Sequence, residues 1–65
     1  MRRLANNEEV RFIKTSDPKL DGQIGKVMGR FGSDPRADFY IVKLDSPVEG
    51  YDPAIVMIEH CLEKV

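Results

Sequence analysis

Residues 23–30 read Gln-Ile-Gly-Lys-Val-Met-Gly-Arg, an alternation of apolar and polar side chains that is typical of a strand. Glycines contribute nothing to packing in a flat strand and often mark bends or bulges. A strand bent at Gly25 and again at Gly29 can run from one sheet into the next, and so close the corner of a very small sandwich. With Val27 facing the core, the alternation turns both glycines inward and leaves the other side chains facing out, namely Ile24, Lys26, Met28 and Arg30.

Three further runs predict strands on either side of this segment. Residues 9–14 and 39–44 have the two-residue period of strands, and residues 54–58 form a short apolar run. Turns are expected between the runs, because proline fixes its own φ, lacks an N–H and pushes the preceding residue toward extended geometry. The turn signals are Asp17-Pro18, Asp34-Pro35, Ser46-Pro47 and Asp52-Pro53. In the first of these loops Leu20 is expected to fold inward as a cap.

The segment 52–65 allows two interpretations. Asp52 followed by Pro53 is a good helix start, and apolar residues recur afterwards at helical spacing, at Ile55, Ile58, Leu62 and Val65. Against a helix stand the β-branched residues at 55, 56 and 58, and the absence of a Glu or Gln that would complete a capping box. We favour a strand at 54–58 followed by a tight turn and a short final strand, and keep the helix as the alternative.

Length and composition restrict the chain to one small domain. It has 65 residues and a net charge of −1, so its core is small and function is expected at a surface rather than in a deep cleft. Residues 1–8 are expected to form a flexible N-terminal arm and residues 9–65 the domain. The single cysteine, Cys61, excludes an internal disulfide, and we therefore expect a cytoplasmic location. No apolar run is long enough to span a membrane, and we expect no secretory signal, because the basic residues near the start are not followed by an apolar stretch.

Three segments together carry a family resemblance: residues 10–12 (Val-Arg-Phe), 22–27 (Gly-Gln-Ile-Gly-Lys-Val) and 40–44 (Tyr-Ile-Val-Lys-Leu). They resemble the KOW-type motif of Src-homology-3-like (SH3-like) small barrels, in which a strand and loop lead to Gly-x-x-Gly-x-Val and a further strand. The ending, residues 58–65, looks like the short helical turn and closing strand of that family. The resemblance implies an all-β fold, a five-stranded SH3-like small barrel with a short helical turn before the last strand. Barrels of this kind bind RNA, proteins or larger assemblies.

Signals for catalysis are thin. Glu59, His60 and Cys61 place three reactive side chains in succession, but adjacent strand residues point to opposite faces, and one His with one Cys supplies half of a zinc site. A buried Cys61 and a surface His60 explain the trio more simply. We therefore expect a non-enzymatic protein with no catalytic residues, no metal and no cofactor.

The outward side of residues 24–30 and 39–44 is the predicted contact surface. It presents an apolar stripe flanked by basic residues, a pattern that marks contact sites, while Tyr40 is assigned to the core. With the loops around residues 31 and 51 added, the predicted partner-binding residues are Met28, Arg30, Phe31, Phe39, Ile41 and Tyr51. The main hypothesis is a docking or adaptor module for another protein. The open alternative is that these apolar side chains belong to a second sheet or lie under the N-terminal arm.

A KOW-like module that binds RNA or DNA is the alternative function. It would use basic side chains and an aromatic platform, with Arg11, Lys14, Lys26, Arg30 and Arg36 as the basic residues and Phe31 as the stacking residue. The net charge of −1 is unfavourable for a protein held mainly by phosphates. Seven basic and four acidic residues in 1–30, against three and seven in 31–65, nevertheless divide the charge unevenly.

Overall fold

The computed structural model describes residues 4–32 and 38–65, which form five strands and one 3-10 turn. The turn is Glu59–Cys61, and the strands are β1 (Glu9–Phe12), β2 (Ile24–Phe31), β3 (Phe39–Leu44), β4 (Ala54–Ile58) and β5 (Leu62–Lys64). The all-β class and the helical turn before the last strand are confirmed. The turn predicted at Asp34-Pro35 lies outside the described residues. Within residues 4–32 and 38–65, no helix is long and apolar enough to cross a membrane.

One antiparallel sheet contains all five strands, in the order β4-β3-β2-β1-β5. β2 pairs with β1 through residues 24–26 and with β3 along residues 25–31, so one continuous sheet takes the place of the two expected. In the described part of the chain, β4 pairs only with β3 and β5 only with β1. The sheet therefore has two edges and is not closed.

The core lies on one face of the sheet, which we call the inner face. Its buried strand residues are Val10, Phe12, Val27, Tyr40, Val42, Leu44 and Leu62. Three buried residues from outside the strands, Leu4, Leu20 and Val48, cover the same face. The inward position of Leu20 is thus confirmed, as is the core position of Tyr40, whose hydroxyl accepts a hydrogen bond from the Leu4 N–H at 3.3 Å.

Residues 4–8, which the sequence assigns to the arm, lie against the sheet. The Asn7 N–H donates to the Val27 carbonyl at 2.6 Å, and the Val27 N–H donates to the Glu8 carbonyl at 3.0 Å. With Leu4 in the core, these residues extend the contact of β1 with β2. The flexibility expected of the arm stays a prediction, and residues 1–3 lie outside the described residues.

The helical interpretation of the C-terminal segment is wrong. β4 pairs with β3 along its whole length, and the Glu59 N–H continues the ladder by donating to the Asp38 carbonyl at 2.8 Å. At the other end the Leu44 N–H donates to the Pro53 carbonyl at 2.8 Å. Proline lacks an N–H but keeps its carbonyl. It can therefore stand directly before an edge strand as readily as at the start of a helix.

β2 contains one residue more than its pairing with β3 requires. Val27 pairs with Val42, whereas Gly29 pairs with Ile41, so Met28 is the extra residue of a β-bulge. Because side chains alternate with a period of two, one extra residue exchanges the two faces for everything that follows.

The bulge corrects the predicted orientation of the end of β2. Beyond it, Arg30 pairs with Tyr40, a core residue, and Phe31 pairs with Phe39 on the opposite, outer face. The expectation that Gly29 faces inward and Arg30 outward is therefore wrong. The end of β2 thus presents an aromatic side chain, not a basic one, on the outer face.

The two glycines of β2 have different roles. A Cβ at Gly25 would lie 2.7 Å from the Lys43 carbonyl oxygen and 2.8 Å from Cγ1 of Val42, so the backbone of β3 and the core leave no room for it. At Gly29 an added Cβ would meet nothing within 4 Å. Gly25 is required by packing, whereas Gly29 leaves open space on the outer face.

We predict opposite effects of alanine at these two positions. Gly25→Ala should lower the free energy of unfolding by about 1–3 kcal/mol, because backbone and core atoms must move. Gly29→Ala should leave it unchanged or raise it by up to about 1 kcal/mol, because the new methyl group is unobstructed and restricts the unfolded chain. Urea denaturation of both variants measures the difference. Equal losses of stability would contradict the close approach at Gly25.

Candidate functional site

The outer face of the sheet carries two apolar rows that run across three strands. One row joins Gly29, Ile41 and Val56, and the next joins Phe31, Phe39 and Ile58. Met28 stands beside the first row as the extra residue of the bulge. We call the side chains of this surface the apolar face: Met28, Phe31, Phe39, Ile41, Val56 and Ile58.

The apolar face is open to solvent to an extent that is unusual for its residue types. Met28 is 54% exposed, Phe31 53% and Val56 43%, while the other three side chains are half-buried. Single exposed apolar residues are ordinary, but a contiguous group of six is not. Such groups mark surfaces that contact another molecule.

Four of the six partner-binding residues predicted from sequence meet on this surface, namely Met28, Phe31, Phe39 and Ile41. Sequence reasoning missed Val56 and Ile58. The signal that could have found them is the register of β4 on β3, since alternate residues 54, 56 and 58 share the face of Phe39 and Ile41. The alternative that these side chains belong to a second sheet is wrong, because the described strands form only one.

The other half of the outer face is charged. It carries Glu9, Arg11, Lys26, Lys43 and Glu63, which lie on β1, β2, β3 and β5. Lys26 stands directly opposite Lys43, and Glu9 stands opposite Lys26 on its other side. Nη1 of Arg11 lies 3.4 Å from Oε1 of Glu63. The charges therefore largely compensate one another, and the outer face is divided into an apolar half and a mixed-charge half.

The basic residues of the nucleic-acid alternative are scattered. Arg11 is paired with Glu63, and Arg30 forms an ion pair with Asp38. Lys14 lies in the loop after β1 with a positive φ of 54°, whereas Lys26 lies on β2. Arg36 is outside the described residues. The structure thus brings no group of these side chains together into one basic surface within residues 4–32 and 38–65.

Tyr51 does not join the apolar face. Its ring packs against the core on the inner side of the sheet, and its hydroxyl donates a hydrogen bond to Oδ2 of Asp17 at 2.6 Å. The same carboxylate accepts the Lys19 N–H through Oδ1 at 2.9 Å, which fixes the turn that starts at Asp17-Pro18. Tyr51 therefore connects the loop before β4 to the loop after β1.

This contact shifts the pKa values of both partners. The hydrogen bond from Tyr51, followed by that from the Lys19 backbone, lowers the pKa of Asp17 below its ordinary value. The same bond raises the pKa of Tyr51, because it needs the phenolic proton and faces a carboxylate. Both groups are reached by solvent, so the effect on stability is screened.

A shallow open depression of about 290 Å³ lies beside the 3-10 turn, lined by Ile13, Glu59, His60, Leu62 and Glu63. Oε2 of Glu59 is buried there without a hydrogen-bond partner in the described structure. The Cys61 thiol contacts the Lys14 carbonyl at 3.5 Å. No cluster of three or more metal-ligating side chains occurs in residues 4–32 and 38–65.

Comparison of the chain with protein-family models, with curated proteins and with solved structures found no match.

We predict that the contact between Tyr51 and Asp17 stabilises the fold only over a middle range of pH. The lowered pKa of Asp17 stabilises the folded state above its ordinary value of about 3.9, and this contribution is lost as the pH falls through the folded value. The raised pKa of Tyr51 stabilises the folded state below about 10, and this contribution is lost as the pH rises through the folded value.

Tyr51→Phe and Asp17→Asn should therefore both flatten the pH dependence of the free energy of unfolding in these two windows. In the acid window Asp17→Asn should flatten the curve more than Tyr51→Phe, because the Lys19 N–H still lowers the pKa of Asp17 when the Tyr51 hydroxyl is absent. Urea unfolding measured between pH 2 and 11 tests this. A Tyr51→Phe curve parallel to that of the wild type at all pH values would contradict the contact.

Proposed function

We propose that this chain is a non-catalytic, SH3-like small β-barrel module that docks onto another protein through the apolar face. The observation that supports the proposal is that the two apolar rows adjoin each other on that face. Met28 and Phe31 are more than half exposed there. In this proposal the single sheet curls around its core into a barrel that stays open between the edges of β4 and β5. Support for the curling is that, among the described residues, the inner face is covered only by the sheet itself and by four loop residues, namely Leu4, Leu20, Val48 and Tyr51.

The partner is expected to be apolar at the centre of its contact and polar at the rim. Phe31 and Phe39 stand opposite each other and supply aromatic area, while Lys26 and Lys43 lie at the border. Aromatic and methionine side chains are enriched at the centres of protein interfaces. We further propose a cytoplasmic location, which the lone Cys61 supports in a domain without disulfides.

The nucleic-acid alternative has less support. Two of its basic residues, Arg11 and Arg30, already have acidic partners, and Phe31 stands opposite an aromatic residue instead of amid basic ones. A base-stacking platform needs a groove of unpaired positive charge.

We predict that Met28→Lys abolishes capture of the partner protein and leaves the melting temperature nearly unchanged. The side chain is more than half exposed, so the substitution should change the free energy of unfolding by less than about 0.5 kcal/mol. The matched control is Val65→Lys, which adds the same charge at an apolar side chain that is 62% exposed and lies next to Glu9 in the charged half.

The measurement is quantitative affinity capture from the source cell with wild-type, Met28→Lys and Val65→Lys baits. Proteins retained by the wild type and the control but lost with Met28→Lys would support docking through the apolar face. Equal capture by all three baits would contradict it. A parallel titration with mixed-sequence RNA at low and moderate salt should show no steep salt-dependent binding; such binding would favour the alternative.

A further inference from the structure

The free edge of β4 is the second unusual feature of the sheet. The Leu44 N–H bonds to the Pro53 carbonyl and the Glu59 N–H bonds to the Asp38 carbonyl, so odd-numbered residues of this segment face β3. Bonded and non-bonded pairs alternate in an antiparallel ladder. The N–H and C=O groups of Ala54, Val56 and Ile58 therefore point away from the sheet, along its edge.

Within residues 4–32 and 38–65, the edge of β4 has none of the devices by which proteins block strand pairing. All five of its side chains are uncharged and apolar, and it contains no proline or bulge. The opposite edge, β5, is three residues long and carries Glu63 and Lys64. Short length and charge protect that edge from pairing. The difference between the two edges indicates that β4 is the one that accepts a further strand.

We propose that this edge pairs with the β4 edge of a second copy of the chain, antiparallel about a two-fold axis through Val56. In this register Val56 faces Val56, and Ala54 faces Ile58. The three free N–H groups on each copy all find a carbonyl, which gives six hydrogen bonds across the axis. A shift by two residues in either direction would need Asp52 or His60, which lie outside β4, to supply one of the partners.

No charge opposes this register. The five side chains of β4 are apolar, so the paired segments bring no like charges together across the axis.

Edge pairing goes beyond the proposed docking function and leaves the apolar face open. The row of Ile41 and Val56 continues across the axis into the same row of the second copy, so a dimer presents one apolar surface of twice the width. An edge of five residues buries less than the roughly 800 Å² per partner of a standard interface. The dimer is therefore weak, with dissociation in roughly the micromolar range or above.

The test is sedimentation equilibrium of the full chain from about 1 µM to about 1 mM, a range chosen for a weak interface. Wild type should pass from monomer to dimer. Val56→Pro should raise the dissociation constant of the dimer about tenfold or more, because proline removes the central outward N–H. The hydrogen bonds between β4 and β3 do not use this N–H and are kept. Val56→Thr, which keeps the N–H and the β-branched shape, should dimerise like the wild type.

Amide hydrogen exchange of the wild type gives a readout that does not depend on the folding of any variant. The amides of Ala54, Val56 and Ile58 should exchange rapidly at low protein concentration and become protected where the dimer forms. A wild type that stays monomeric throughout, or a dimer in which these amides remain unprotected, would overturn the proposal. Dimerisation lost with Met28→Lys would also overturn it, since the copies would then meet through their apolar faces. Partner capture by the apolar face is measured separately, so either proposal can fail alone.

Discussion

One extra residue in β2 governs which side chains this domain presents to its surroundings. Up to Val27 the strand follows the inner and outer alternation that its pairing with β3 sets, and Met28 then shifts that alternation by one. Phe31 consequently stands opposite Phe39 on the outer face, while Arg30 takes the side of Tyr40. In a regular strand Arg30 would lie on the outer face and the aromatic pair would not exist. The apolar face is therefore a product of the bulge.

The energetics of so small a domain make the exposed apolar side chains informative. Complete burial of a Phe, Met or Val side chain is worth about 1.5–3 kcal/mol, whereas a whole domain is stable by only about 5–15 kcal/mol. Leaving Met28, Phe31 and Val56 largely in water forgoes a substantial share of the stability that 65 residues can reach. The exposed side chains and the unprotected edge lie in the half of the sheet formed by the end of β2 with β3 and β4, whereas β1 and β5 carry charged side chains.

The sequence predicted the strands well because their signals are local. Proline-marked turns, a two-residue period and a short apolar run indicated the first four strands, and the tail was expected to hold a tight turn and a short final strand. The β-branched residues at 55, 56 and 58 were the correct guide against a helix. The bulge was not predictable, because an extra residue appears only when β2 is set against β3. For the same reason the register of β4, which adds Val56 and Ile58 to the apolar face, was missed. Tyr51 was assigned to the contact surface because nothing in the sequence connects it to Asp17, 34 positions away.

The register of β2 on β3 is tested most directly by Hα–Hα nuclear Overhauser effects between the two strands. These effects report non-hydrogen-bonded cross-strand pairs. The bulged register predicts a strong contact between Arg30 Hα and Tyr40 Hα, together with one between Val27 Hα and Val42 Hα. A contact between Gly29 Hα and Tyr40 Hα, the pairing of a regular strand, would contradict it and remove the apolar face.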